Sequence, residues 1–225
     1  MVNRNSRARG AGRFRCVLAF AAAVVGMGLL IAPVPGAAAP LAASATAAGP
    51  AKVVDGLDVA LLKTMKAGKK AGIAGRIKIM APAVRSSFDV PRISRMVLGQ
   101  YWKALSRKHR DTFVDLLTHL IVVSYASNFD AYSQQQFKIT GVRHKGKTAF
   151  VSTEFSDPGS GESHSFDYVV HAVQPGEWKI VNVIADGVSD VAVKRAEYTG
   201  ILGKGSFQDL IDALRKQIKH AEISG

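Results

Sequence analysis

Along residues 52–67 the apolar positions Val53, Leu57, Ala60, Leu61 and Met65 recur at helical spacing. Ile73, Ile77, Met80 and Val84 repeat the pattern, with a kink expected at Pro82. Asp89 is placed to cap a short helix with Pro91 in its first turn and Gly99 at its close. Ser106 caps a longer one, running to Phe129, with Phe113, Leu116, Leu117, Leu120, Ile121 and Ser124 on one face. After Tyr132 the period falls to two. Residues 136–143, 148–155, 163–173 and 178–185 read as strands, separated by the turn sequences HKGK, SDPGSGE and QPGE. Such short turns make neighbouring strands antiparallel. Helices over residues 189–202 and 207–220 follow, the second opened by Ser206 with Asp209 three positions on. Helices, a meander of about four strands, then helices define an α+β domain.

The last strand is apolar at every position but two. Simple alternation puts Ile180 and Ile184 on one face and Val181 and Val183 on the other, so apolar material must cover both faces. That pattern fits a close-packed core and the wall of an apolar cavity alike, and the residues leave both open.

The first 39 residues differ from all that follow. Five arginines with no acidic residue precede an apolar run over residues 16–32, then Pro33 and Pro35. This is the layout of a cleaved secretory signal, and residues 40–51 read as a disordered leader. The single cysteine, Cys16, leaves with the signal. Residues 52–222 are then one domain that folds without disulfides; a mature chain of about 186 residues buries roughly 70% of its unfolded surface. Losing the five arginines takes the net charge from +13 to +8. A basic surface could meet nucleic acid, anionic lipid or an acidic protein, and export makes nucleic acid the poorest of these partners.

Little in the chain points to chemistry. The six histidines lack metal-ligand spacing, and no cysteine remains to join them, so neither metal nor cofactor is expected. Ser160 lies between glycines in a hairpin turn, not on the strand-to-helix elbow a nucleophile needs. In GILGKGS the glycines follow a helix, so Gly203 and Gly205 are read as its end and the link to the next. Asp186 and Asp190 could form an acid pair, but they stand where a strand turns and a helix starts, positions where carboxylates have structural work.

Two segments carry a family resemblance. FDVPRISRMVLGQYWKALSRKHRDTFVDLLTHLIVVSYASNF (residues 88–129) resembles the helical half of the MlaC-type, toluene-tolerance family of periplasmic lipid-binding subunits, and FDYVVHAVQPGEWKIVNVIADGVS (residues 166–189) is similar to its closing segment. After Ser189 the family's aromatic-Arg pair is missing; DVAVKRAEY keeps Arg195 and moves the tyrosine to 198, as in the hopanoid-associated HpnM branch. The resemblance implies an NTF2-like α+β fold whose N- and C-terminal helices and sheet enclose an apolar cavity. It also implies a soluble carrier, not an enzyme, that takes a phospholipid or hopanoid from one membrane-bound transport component to another.

Such a carrier must offset some 20–25 kcal/mol of exposed hydrocarbon for a lipid of about 30 methylenes, at roughly 0.8 kcal/mol each. On this resemblance the expected lining is Leu98, Tyr101, Leu117, Ile121 and Tyr125 from the helices, with Phe166, Tyr168, Val181, Val183 and Val188 from the sheet side. Tyr101, Tyr125 and Tyr168 have the apolar ring and polar tip that suit a cavity mouth. Two alternatives stay open: an accessory protein that docks on membrane-bound lipid-synthesis enzymes without a lipid of its own, and a small enzyme using Glu154, Asp167 or Asp186.

Overall fold

The computed structural model describes residues 49–225; the expected signal, and the leader up to residue 48, lie outside the described residues. Helix α1 (Pro50–Ala67) starts two residues earlier than its periodicity suggests, with proline in its first turn, where the missing N–H costs nothing. A 3-10 turn (Lys69–Ala71) leads into α2 (Gly72–Ser87), which continues through the exposed Pro82. Asp89 caps α3 (Val90–Leu98) by accepting the Arg92 amide at 3.0 Å, and Gly99, at a φ of 53°, ends it. One helical turn, α4 (Tyr101–Ala104), precedes α5 (Arg107–Asn128), whose cap is Ser106.

The sheet is an antiparallel meander in the order β1 (Gln136–Lys145), β2 (Thr148–Asp157), β3 (Glu162–Gln174), β4 (Glu177–Ala185), β5 (Val188–Ser189). The fifth strand was not expected. It forms because Asp186 and Gly187 both take left-handed backbone, with φ of 47° and 82°, as a two-residue type I′ hairpin requires. Ile184 pairs with Ser189 and Ala185 with Val188. Ser189 then caps α6 (Asp190–Lys204), and a full capping box of Ser206 and Asp209 opens α7 (Phe207–Ser224).

Helix α1 lies across β1 to β4, α5 packs between α2 and α7, and α3 packs on α6. On β2 every second residue from Ala149 to Asp157 is buried, so the sheet turns one face to the helices. β4 departs from simple alternation. Val170 pairs with Ile180 and Val169 with Asn182, leaving Val181 as the extra residue of a bulge. Past the bulge the parity flips, so Trp178, Ile180, Val183 and Ala185 all belong to the core side. The expected pairing of Val181 with Val183 on one face is therefore wrong.

Arg76 of α2 is fully buried, and main-chain oxygens surround its guanidinium. Nε donates to Ala126 O at 2.7 Å, Nη1 to Gly68 O at 2.9 Å and Nη2 to Gly225 O at 2.9 Å. Ala126 lies in the last turn of α5 and Gly68 just past α1, where helix carbonyls lack intrahelical donors and carry partial negative charge. One guanidinium thus fastens the ends of three chain segments. Its burial also takes one cation off the basic surface.

Candidate functional site

Between the sheet and the helices lies an apolar cavity of about 40 Å³. Helix α5 supplies Leu117, Leu120, Ile121, Ser124 and Tyr125, spaced so that they share one face. β3 adds Phe166 and Tyr168 at a spacing of two, and Val183 and Ala185 follow on β4 beyond the bulge. Leu61 of α1, Ile93 of α3 and Val191 of α6 complete the apolar wall. One end is aromatic. Tyr125 and Phe129 lie 5.9 Å apart between ring centres, Phe137 and Phe155 4.9 Å, and Phe166 and Tyr168 6.4 Å.

Four half-buried polar residues, Ser124, Asn182, Asp190 and Lys194, also line the cavity. Lys194 Nζ stands 3.1 Å from Asp190 Oδ1 one helical turn away. Asn182 Oδ1 accepts the Val191 amide at 3.1 Å, and its Nδ2 donates to Ser189 at 2.9 Å. These contacts hold the first turn of α6 at the cavity's edge.

Behind the aromatic end sits a polar group the sequence reading missed. Asp58 of α1 is 5% exposed, and its Oδ1 has no hydrogen-bond partner. Burial, then the nearby Asp55 charge, push its carboxyl up to about 8, against a bond from the Tyr168 hydroxyl that favours the carboxylate. Asp58 is therefore largely a neutral acid at pH 7. Burial, and then the Asp58 charge, push the Tyr168 hydroxyl up; burial, followed by Asp190 and Asp58, does the same to Tyr125. The clue was positional. Asp58 falls four residues after Val54 and three before Leu61, on the buried stripe of α1.

Of the ten expected lining residues, the structure brings Leu117, Ile121, Tyr125, Phe166, Tyr168 and Val183 together around the cavity. The other four lie elsewhere. Leu98 is fully buried but stands about 140° around α3 from Ile93, at the usual 100° per residue. Tyr101 follows the Gly99 break and sets its hydroxyl against Gly203, near the far end of α6. Val181 is the bulge residue, outside the core cluster. Val188, on β5, is 47% exposed. The tyrosines are not exposed as a mouth would have them: Tyr125 and Tyr168 line the cavity but are both buried.

The carboxylates considered for catalysis have structural partners. Asp186 accepts the Ser165 amide at 2.8 Å and meets His164 Nδ1 at 2.8 Å. Burial is the largest single influence and raises its carboxyl, but the Ser165 and His164 contacts together outweigh it and hold it below the usual range. Asp167 accepts from Ser152 at 2.6 Å on the sheet. Asp190 lies in the first turn of α6 behind the Ser189 cap, where a carboxylate favours the helix dipole.

The family model described as MlaC protein matches residues 57–216. A curated relative, the intermembrane phospholipid transport system binding protein MlaC of Haemophilus influenzae, is 27% identical over 123 residues, 53% of this chain. That match spans 58% of the relative's length. A solved structure of a phospholipid-binding protein from Ralstonia solanacearum, in complex with a phospholipid, aligns with a TM-score of 0.68 at 16% identity, over 78% of this chain and 99% of that one. At that identity the likeness speaks to the fold.

Proposed function

The chain belongs to the MlaC family, and from that premise we propose that it is a phospholipid carrier that takes acyl chains between its sheet and the helices α3, α5 and α6. The observation that carries this reading is the cavity: apolar walls from seven elements, with aromatic rings and a few half-buried polar groups among them. The names of the Haemophilus and Ralstonia proteins, which describe phospholipid transport and binding, support the same ligand class. Passage of the lipid between membrane-bound transport components in the periplasm, and a hopanoid in place of the phospholipid, are extensions of this proposal.

The cavity's size sets a condition on the mechanism. An apolar cavity of ~150 Å³ takes up benzene, and drug-sized ligands occupy ~300–1,000 Å³. At about 40 Å³ the space admits no acyl chain until its walls part. Helix α6 is suited to move. It buries only Val191 and Tyr198 of its fifteen residues, and it is bounded by the Asp186–Gly187 hairpin and by Gly205. On this proposal α6 lifts and the Asp190–Lys194 edge separates. Hydrocarbon then enters along Leu117, Ile121 and Val183 while the headgroup stays near Ser124 and Lys194.

Mass spectrometry of organic extracts from the purified mature protein tests the reading. Phospholipid is expected at stoichiometric yield, and a lipid-free protein would favour the accessory role. The neutral carboxyl of Asp58 gives some support to acid–base catalysis as a second reading. However, Asp58 is not on the cavity surface, and its contact there runs through Tyr168. Turnover of any extracted lipid that Asp58→Asn abolished would establish the enzyme.

A further inference from the structure

A second concavity has the opposite chemistry from the first. An open groove of about 670 Å³ runs between α3, α4 and the start of α5. Residues 90–110, which build most of it, contain six Arg or Lys and no Asp or Glu. Trp102 stands half-buried in the groove between two guanidinium groups, with Arg95 Cζ 6.0 Å and Arg110 Cζ 5.4 Å from its ring centre. Arg110 is committed to structure: its Nε and Nη2 donate to the carbonyls of Trp102 and Lys103 at 3.1 and 3.0 Å, locking α4 onto α5. Arg95 and Lys103 are exposed and have no carboxylate partner among the described residues. Arg107 meets Asp111 at 3.9 Å, but both side chains are more than two-thirds exposed, so the pair holds the charge only weakly. Asp111 and Asp115 are the groove's two acids, both on its α5 side.

We propose that this groove docks the protein on an anionic bilayer surface. Cations with long stems around a half-buried indole match the membrane interface, where tryptophan sits at headgroup level and Lys and Arg reach the phosphates. The cations are spread over three helices and lack the buried, converging donors a specific small anion would need, so the complement is an extended negative surface. The placement fits delivery. Helices α3 and α5 line both concavities, and Val114 in the groove is one turn from Leu117 in the cavity. Docking does not depend on the carrier reading, because the groove would hold an anionic membrane whatever the cavity contains.

Trp102 and Trp178 are the chain's two tryptophans, so Trp178→Phe leaves Trp102 as a sole reporter. Titrating the mature variant with phosphatidylglycerol–phosphatidylcholine vesicles at low salt should shift its emission to the blue. Phosphatidylcholine alone should not, and high salt should reverse the shift. Co-sedimentation of the unmodified mature protein should show the same selectivity. Replacing Arg95, Lys103 and Arg107 together by Gln should weaken apparent vesicle affinity on the order of 100-fold, at roughly fivefold per surface cation. A matched control, with Lys138, Lys145 and Lys147 on the β1–β2 side changed to Gln, should stay within a few-fold of wild type. Bound lipid, measured separately in every variant, should not change, which keeps this test distinct from that of the carrier. The proposal is overturned if the protein ignores anionic vesicles, if both triple variants lose binding equally, or if the groove variant keeps vesicle binding and loses only an acidic protein partner.

Discussion

Arg76 and Asp58 are both ionisable side chains folded into the same helical layer, and the protein treats them in opposite ways. Arg76 is surrounded by acceptors, and every nitrogen of its fork reaches a carbonyl at 2.7–2.9 Å. Asp58 has one oxygen without a partner and stays buried by remaining protonated. A fully satisfied buried charge resists movement, since any shift breaks three bonds in a dry site. A half-satisfied neutral acid behind a cavity wall has no such hold on its surroundings. The side fastened by Arg76 is thus built to stay closed, and the looser side lies toward α6.

Removing the fastened group should have the largest effect. Arg76→Met leaves three carbonyls without their donor and should lower unfolding free energy by ~3–5 kcal/mol, read from urea denaturation. Arg76→Lys, which cannot span all three acceptors, should recover only part. If Arg76→Met unfolds at the wild-type midpoint, the fastening role is wrong.

Asp58 should behave with the opposite sign. Its carboxyl binds a proton in the folded chain up to about pH 8, whereas in the unfolded chain it ionises near 3.8. The folded state therefore holds more protons between these values, so stability falls as pH rises through the window and levels off above it. Asp58→Asn, which keeps an acceptor for Tyr168, should match wild type near pH 4. By pH 9 it should be more stable by ~2 kcal/mol, less than the full shift at ~1.4 kcal/mol per unit because water entry relaxes the site. Parallel pH profiles of melting temperature for the two proteins would remove Asp58 from the comparison.

Ile121→Trp probes the looser side. Set into the cavity, the ring should cost no more than ~1 kcal/mol in delipidated protein, below the 1–3 kcal/mol typical of overpacking a tight core. Bound phospholipid should drop to a minor fraction. Unchanged lipid with a sharply lower melting temperature would make Ile121 ordinary core. The smallest effect is expected at the hairpin and the α6 start, where Asp186→Asn and Asp190→Asn should each cost ~0.5–1 kcal/mol and leave lipid content intact, because Asn caps and turns nearly as well.

Much of the fold was legible because its signals are local. Helices α3, α5 and α7 announce themselves by Asp89, Ser106 and Ser206, and the three main hairpins by their glycine turns. β5 was legible too and was overlooked: Asp186–Gly187 is a strong hairpin signal, but Ser189 immediately caps α6, and the cap hid the two-residue strand. The bulge at Val181 leaves only a faint trace: the polar residues on either side of it, Lys179 and Asn182, stand three apart instead of an even number. A similar ambiguity of face misplaced Leu98 on a short helix where Val90, Ile93, Val97 and Leu98 are all buried. Asp58 and Arg76 were missed because one charge inside an apolar stripe looks like the stripe's edge.

The Arg76 contacts also set a timetable for the chain's birth. From Arg76 the three carbonyls lie 8, 50 and 149 residues away along the sequence. The β hairpins can zip as soon as each emerges, since their contacts are near neighbours. The last acceptor arrives only after α7 has been made, on the order of 10 s later at the usual pace of synthesis. Until then a guanidinium destined for the interior must remain in water, and α2 cannot bury the stripe that carries it. A nascent chain stalled before α7 would therefore present the apolar faces of α1, α2 and α5 to any chaperone nearby, and quality control would meet this protein as an open helical layer beside a finished sheet.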